Sequence, residues 1–427
     1  MTKHMTNELR RSDFIVLPLL ATGFATYQID RTNIASALTG GFASAISVDQ
    51  NTINLGNQLL FLGVILLEIP SNMALQRIGP RRWISAQVFI FGLLAALQIF
   101  IRDRTGFLIT RAVLGLTEAG YIPAAMYTLS TWYTNAKLTK RIAIFFFGMF
   151  GGAAIAPLLG AALLKLDGRG GLAGWKWIFL LEGLWSILMA LLLFTALPDH
   201  PPSTGTSTST PTHRQPLPWP LIYKTLTNTA KYPHFLATAC VFATWSPLTT
   251  YTPSIIMALG FSRVIANALA ALGNLLTLPV IFGFAWLSTA THRRGSTVLL
   301  AMGSYLVALV VLRTVQPHVT SRWGRVGLWT AVNGLAVGYH PVHNAWIQVN
   351  CCCPGERSVI VMSATAGLMA GSQIFQGDEA HAFYPMGLLI MILLVLVGMV
   401  LVAGQMGIYR FAGRGKCESQ GGDMDMC

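Results

Sequence analysis

The chain has 427 residues, 53% of them hydrophobic and only 11% charged, with a mean hydropathy of +0.57. That balance excludes an ordinary soluble domain. A net charge of +13 would suit a nucleic-acid binder, but the basic residues cluster in the short segments between apolar spans, which excludes a polynucleotide site.

The apolar segments predict an all-α polytopic membrane protein with about twelve transmembrane helices, over 14–38, 51–75, 83–101, 106–132, 142–165, 176–197, 233–256, 264–289, 296–314, 324–349, 358–376 and 385–410. They divide into a six-helix N-terminal bundle (1–197), a Pro/Ser/Thr-rich cytoplasmic linker (198–232), a six-helix C-terminal bundle (233–411) and a cytoplasmic tail (412–427). With the N-terminus inside, roughly eighteen Lys/Arg face the cytoplasm against about nine outside, so both termini are expected there. The first span is too long for a signal-peptide core and should remain as an anchor. The six cysteines suggest neither a disulfide framework nor a metal site, although Cys351–Cys353 offer a place for S-palmitoylation.

The first span carries Asp30 and Arg31 roughly 24 Å beyond Phe14, deep in a hydrocarbon layer about 30 Å thick. Charges held there should face a bundle interior or a wet cavity, and usually mark a transport path. Adjacent helical residues do not face each other, so the two charges should find separate partners. Tyr27 and Gln28 precede them and can donate hydrogen bonds to a substrate. The second span ends in Glu68 and the basic turn SNMALQRIGPRR, which holds Arg77, Gly79, Arg81 and Arg82. After the eighth span AWLSTATHRRG repeats that turn, as expected of two related repeats with a substrate site between them.

In the fourth span Arg111 and Glu118 are two turns apart and share a face. An arginine can fork onto a carboxylate substrate, and a desolvated acid can carry a proton near neutral pH. The same four charges could instead form structural ion pairs. The fifth span, GGAAIAPLLGAALL, combines small residues with Pro157, suited to close packing and a bend. Glu182 opens the sixth span, where gating or packing is expected. His340 and His343 in the tenth span suit either a proton relay or a hydrogen-bonded pair beside Pro341.

The basic turn resembles the loop signature G-x-x-x-D-R-x-G-R-R of the major facilitator superfamily, with Asn72 and Gln76 in place of the first Gly and the acid. IDRTNIASA (Ile29–Ala37), LLEIPSNMAL (Leu66–Leu75), RAVLGLTEAGYIPAAMYTLSTWY (Arg111–Tyr133), GWKWIFLLEG (Gly174–Gly183), LGFS (Leu259–Ser262) and GSQIFQGDEAHAFYPMG (Gly371–Gly387) are similar to its anion:cation symporter branch, in particular the fungal allantoate-permease-like group. The resemblance implies alternating-access transport of a small organic anion with protons. Asp30 and Glu118 would then serve in proton coupling, and Arg31, Arg111, Tyr27, Gln28, Trp346 and Thr365 in substrate binding. Glu68, Arg77, Gly79, Arg81, Arg82 and Pro157 would serve in gating. The fifth-span element also resembles one of drug/proton antiporters, so efflux of a fungal metabolite is the alternative. With no G-x-x-x-x-G-K loop, metal cluster or nucleophile triad, the chain reads as a transporter and not an enzyme, and no cofactor is expected. Its expected partners are the anion, protons and membrane lipid, and it is expected to act as a monomer in the plasma membrane.

Overall fold

The structure is a computed structural model that describes residues 12–133, 135–198, 231–349 and 354–420. Most of the expected linker, Cys351–Cys353 and the end of the tail lie outside the described residues. Every regular element among the described residues is helical. A short π-helical turn (Ser12–Val16) leads into α1 (Leu17–Thr39), α2 (Gln50–Ile78), α3 (Pro80–Leu97), α4 (Arg104–Glu118), α5 (Tyr121–Trp132), α6 (Asn135–Leu163) and α7 (Gly174–Ala196). After 231 come α8 (Tyr232–Ala258), α9 (Arg263–Thr291), α10 (Arg294–Val315), α11 (Arg322–Leu335), α12 (His340–Val349), α13 (Pro354–Gly371) and α14 (Pro385–Gln420).

Among the described residues seven helices are long and apolar enough to cross a membrane, and Val361–Gly371 is apolar but shorter. Two expectations change in detail. The spans expected as continuous helices over 106–132 and 324–349 are each broken in the middle. The fourth breaks between α4 and α5, where Ala119 is extended and Gly120 takes φ 90°. A Cβ on Gly120 would fall 2.2 Å from the Ser71 hydroxyl, so the turn needs glycine for conformation and for space. The tenth breaks between α11 and α12, where Gly338 and His340 donate backbone bonds three residues back.

The chain forms two compact units, one of Met1–Pro218 with Thr249–Asn274 and one of Trp219–Leu248 with Leu275–Cys427. In the first, α1 packs along α6 and α7, α3 along α7, and α2 along α4; in the second, α10 packs on α14, α11 and α12. The two repeat a close-packing device. A Cβ on Gly148 of α6 would sit 2.1 Å from the Ala21 carbonyl oxygen of α1, and one on Gly371 of α13 would sit 2.0 Å from that of Ala243 in α8. Without side chains between them, paired helices approach to backbone contact. The small residues expected to pack in the fifth span therefore do so against the helix that carries Asp30.

Outside the spans, ion pairs among the described residues tie the first unit. Arg141 grips Asp13 through both arms of its guanidinium, Nε to Oδ1 at 3.0 Å and Nη2 to Oδ2 at 2.8 Å. Arg263 Nη2 lies 2.7 Å from Asp167 Oδ2, and the Gly174 amide donates to Asp167 Oδ1 at 2.7 Å. The Arg263 bond, then the Gly174 amide, hold the Asp167 carboxyl below the usual carboxylate range. Such an acid contributes stability above its unfolded value, and that contribution is lost as pH falls through the folded one. Both partners are over a third exposed, so Asp167→Asn should cost no more than about 1 kcal/mol at neutral pH. In thermal melts, its difference from the wild type should close as pH drops below about 4.

Candidate substrate and proton site

The interior of the first unit holds four acids and two arginines. Asp30, Glu68, Arg111, Glu118 and Glu182 are all buried, and Arg31 is half-buried. Six ionisable side chains at this depth are costly unless they do work.

Asp30 and Arg31 part company, as adjacent helical positions must. Asp30 turns to α7, where the Ser186 hydroxyl donates to its Oδ2 in a short hydrogen bond. Its Oδ1 finds no donor among the described residues. Arg31 turns the other way. Its Nη1 donates to the Tyr27 hydroxyl at 2.9 Å, and its guanidinium lies 4.5 Å from the Phe61 ring centroid. Tyr27 is fixed from behind by Tyr121, stacked at 5.6 Å and 13°, whose hydroxyl donates to the Leu20 carbonyl at 3.0 Å. A phenol that accepts from an arginine keeps its own hydrogen to offer.

Arg111 and Glu118 lie on one face of α4, as their spacing predicts. Arg111 is fully buried 5.6 Å from the Phe107 centroid, and none of its three guanidinium nitrogens has an acceptor among the described residues. Glu68 and Glu118 likewise accept no hydrogen bond there. Glu118 lies in the field of both Arg31 and Arg111, and Glu68 in that of Arg31. A planar cation with five donors and no acceptor is half of a carboxylate-binding site. Gln28 is buried with its Cβ against Gly152 of α6, so it faces the helix seam.

The expected gating residues divide. Gly79 sits at φ 97° between α2 and α3, and in the matching turn of the second half His292 takes φ 52°. Arg81 donates through Nε to the Phe194 carbonyl and lies 5.0 Å from the Phe194 ring centroid, capping the last turn of α7. Arg77 and Arg82 are exposed, and Pro157 is buried inside α6.

In the second unit Trp346 packs 4.5 Å from His234 and 5.7 Å from Tyr409, ring to ring. His343 pairs with His234 and not with its tenth-span neighbour: Nε2 of His343 is 3.0 Å from Nδ1 of His234, whose Nε2 is 3.1 Å from the Tyr409 hydroxyl. His340 packs on Phe242 at 4.7 Å. Hydrogen counting assigns the tautomers. Thr238 gives its one hydrogen to the His234 carbonyl at 2.9 Å, so it can only accept from Nδ1 of His343, 3.5 Å away. The Nε2 of His343 then accepts from His234, and His234 accepts from Tyr409. Thr365 donates to the Val361 carbonyl at 3.0 Å, which uses its hydroxyl within its own helix.

The reading of the sequence missed Ser186, Phe61 and Tyr121. Ser186 had a usable signal, since it follows Glu182 by one turn on the same face. The two rings had none, being apolar or aromatic positions among many.

Residues 20–376 match the family description Major Facilitator Superfamily. The chain belongs to the major facilitator superfamily. Its members here include an uncharacterised transporter of Saccharomyces cerevisiae, 25% identical over 402 residues, covering 87% of this chain and 74% of that protein. A putative tartrate transporter of Agrobacterium vitis is 31% identical over 202 residues, 45% of this chain and 43% of that one. The crystal structure of a bacterial homologue of the human lysosomal transporter Spinster shares the superfamily fold, with a TM-score of 0.70 at 18% identity, over 94% of this chain and 97% of that chain. This superfamily member is a multi-pass integral membrane transporter, not an enzyme.

Proposed function

We propose that the protein carries a small organic anion, a carboxylate or related metabolite, together with protons by alternating access, as a member of the allantoate-permease-like branch. The buried, acceptor-less guanidinium of Arg111 is the observation that supports this reading most strongly. A substrate carboxylate would supply the two acceptors it lacks, with Arg31 and the Tyr27 hydroxyl as further donors.

Electrostatics then argues for protons as co-substrates. The buried acids outnumber the arginines by two. Adding an anion to that interior with every acid ionised would place three uncompensated negative charges away from water, at several kcal/mol each. Protonating acids as the anion enters removes that cost, so the two ligands bind best together. The putative tartrate transporter, by its name, handles a dicarboxylate, which fits the same chemistry. The excess of Lys and Arg on one side of the spans supports an orientation with both termini in the cytoplasm, and the plasma membrane is the proposed site of action.

The test is purified protein in liposomes with a pH dye inside and a panel of carboxylates added outside, without a starting pH gradient. Acidification of the lumen is the expected result. Alkalinisation would mean exchange, and would favour the antiporter-like element around Pro157. Asp30→Asn should abolish the acidification while leaving expression intact; normal flux in that variant would remove Asp30 from the coupling.

A further inference from the structure

The four buried acids are not equivalent. Glu68 and Glu118 each lie in the field of an arginine, Glu118 in that of two. Asp30 and Glu182 do not. The charged group felt most by Glu182 is Asp30, and the one felt by Asp30 is Glu118, all acids. Arg31, next to Asp30 in sequence, is turned to Tyr27 and Phe61 on the other side of α1.

The residues around the pair form a polar box where α1 meets α7, beside the Trp185 indole that donates to the Thr26 hydroxyl at 3.1 Å. From α1 come Asp30 and Asn33, one turn apart; from α7 come Glu182 and Ser186, also one turn apart. Ser186 closes one side by donating to Asp30. Asn33 faces Glu182 on the other. Asn33 and Glu182 are at most 4% exposed, so they meet each other away from water, and no well-aligned hydrogen bond to a third residue satisfies either one among the described residues. Helix α3, which also packs along α7, brings no titratable side chain between Ile84 and Leu97. Two carboxylates confined together without a cation cannot both stay ionised.

We infer that Asp30 and Glu182 are one coupled proton-carrying site that holds a single proton between them, and that Glu68 and Glu118, which lie in the field of arginines, belong to the anion side. The inference rests on the proton-coupled reading above and adds Glu182, with Ser186 and Asn33 as positioning residues. It also moves Glu118, expected to couple protons, to the neighbourhood of the anion. Protons and solute would then bind on different faces of α1, about 100° apart.

Infrared difference spectra of the reconstituted protein between neutral and alkaline buffer test the pair without any solute. A protonated-carboxyl band should disappear on alkalinisation in the wild type, and Asp30→Asn and Glu182→Gln should each abolish or shift that same band. Glu118→Gln should leave it in place. An unchanged band in Glu182→Gln overturns the inference, whatever the transported solute proves to be. In liposomes, Glu182→Gln should retain solute exchange across the membrane within about twofold of the wild type but lose accumulation driven by a pH gradient. The double variant with Asp30→Asn should be no worse than either single one, as members of one unit are non-additive. Full gradient-driven accumulation in Glu182→Gln would likewise sink the idea. Should Glu182→Gln fail to fold, Glu182→Asp keeps the acid and should keep the band, at a shifted position.

Discussion

Arg111→Met should abolish transport without weakening the protein. Arg111 is wholly buried, and its guanidinium is satisfied by nothing among the described residues except its stacking with Phe107 and the field of Glu118. A desolvated charge without hydrogen-bond partners costs several kcal/mol, so an apolar chain of similar length should be tolerated or welcomed. With one further buried acid taking up a proton in place of the lost cation, the melting temperature in detergent should stay level or rise. Uptake, in contrast, loses the cation that would meet the substrate, worth about 3 kcal/mol or more, roughly a hundredfold in affinity. The paired measurement separates the two readings that the sequence left open. Were Arg111 and Glu118 a structural ion pair, breaking it would lower stability along with activity.

The largest structural effect should come from a single methyl group. Gly148→Ala places a Cβ against the Ala21 carbonyl oxygen, 2.1 Å away, and a backbone atom cannot swing aside. Helix α6 must then back off from α1, at the upper end of the roughly 1–3 kcal/mol typical of overpacking. Gly151→Ala, on the same helix, meets nothing within 4 Å. It should fold with the yield and melting temperature of the wild type. Equal losses in the two variants would mean that glycine serves the helix backbone and not the seam.

Much of this was legible in the residues themselves. The fold followed from apolar runs, and the partition of Asp30 from Arg31 followed from helix geometry alone. The shared face of Arg111 and Glu118 followed from their spacing. The breaks after Glu118 and Leu335 were less visible, because Gly and Pro are ordinary inside membrane helices and do not by themselves announce a break. Ser186 and Phe61 stayed hidden for another reason. Which neighbour a buried charge meets is settled by packing between helices far apart in sequence, and no local period records it. The histidines show the same limit: His340 and His343 stand close in the chain, yet His343 bonds to His234, more than a hundred residues earlier.

The division of labour along α1 has a mechanical side. Successive residues on a helix point about 100° apart, so Asp30 and Arg31 are fixed to one shaft like cams set out of phase. A turn of α1 that swings Arg31 inward swings Asp30 outward by the same angle, and neither can be repositioned alone. Helix α6, in backbone contact along the glycine seam, must follow that turn or bear against it. Under the proposed coupling, proton binding and solute binding would be geared through one rigid axle, with no need for the ligands to touch.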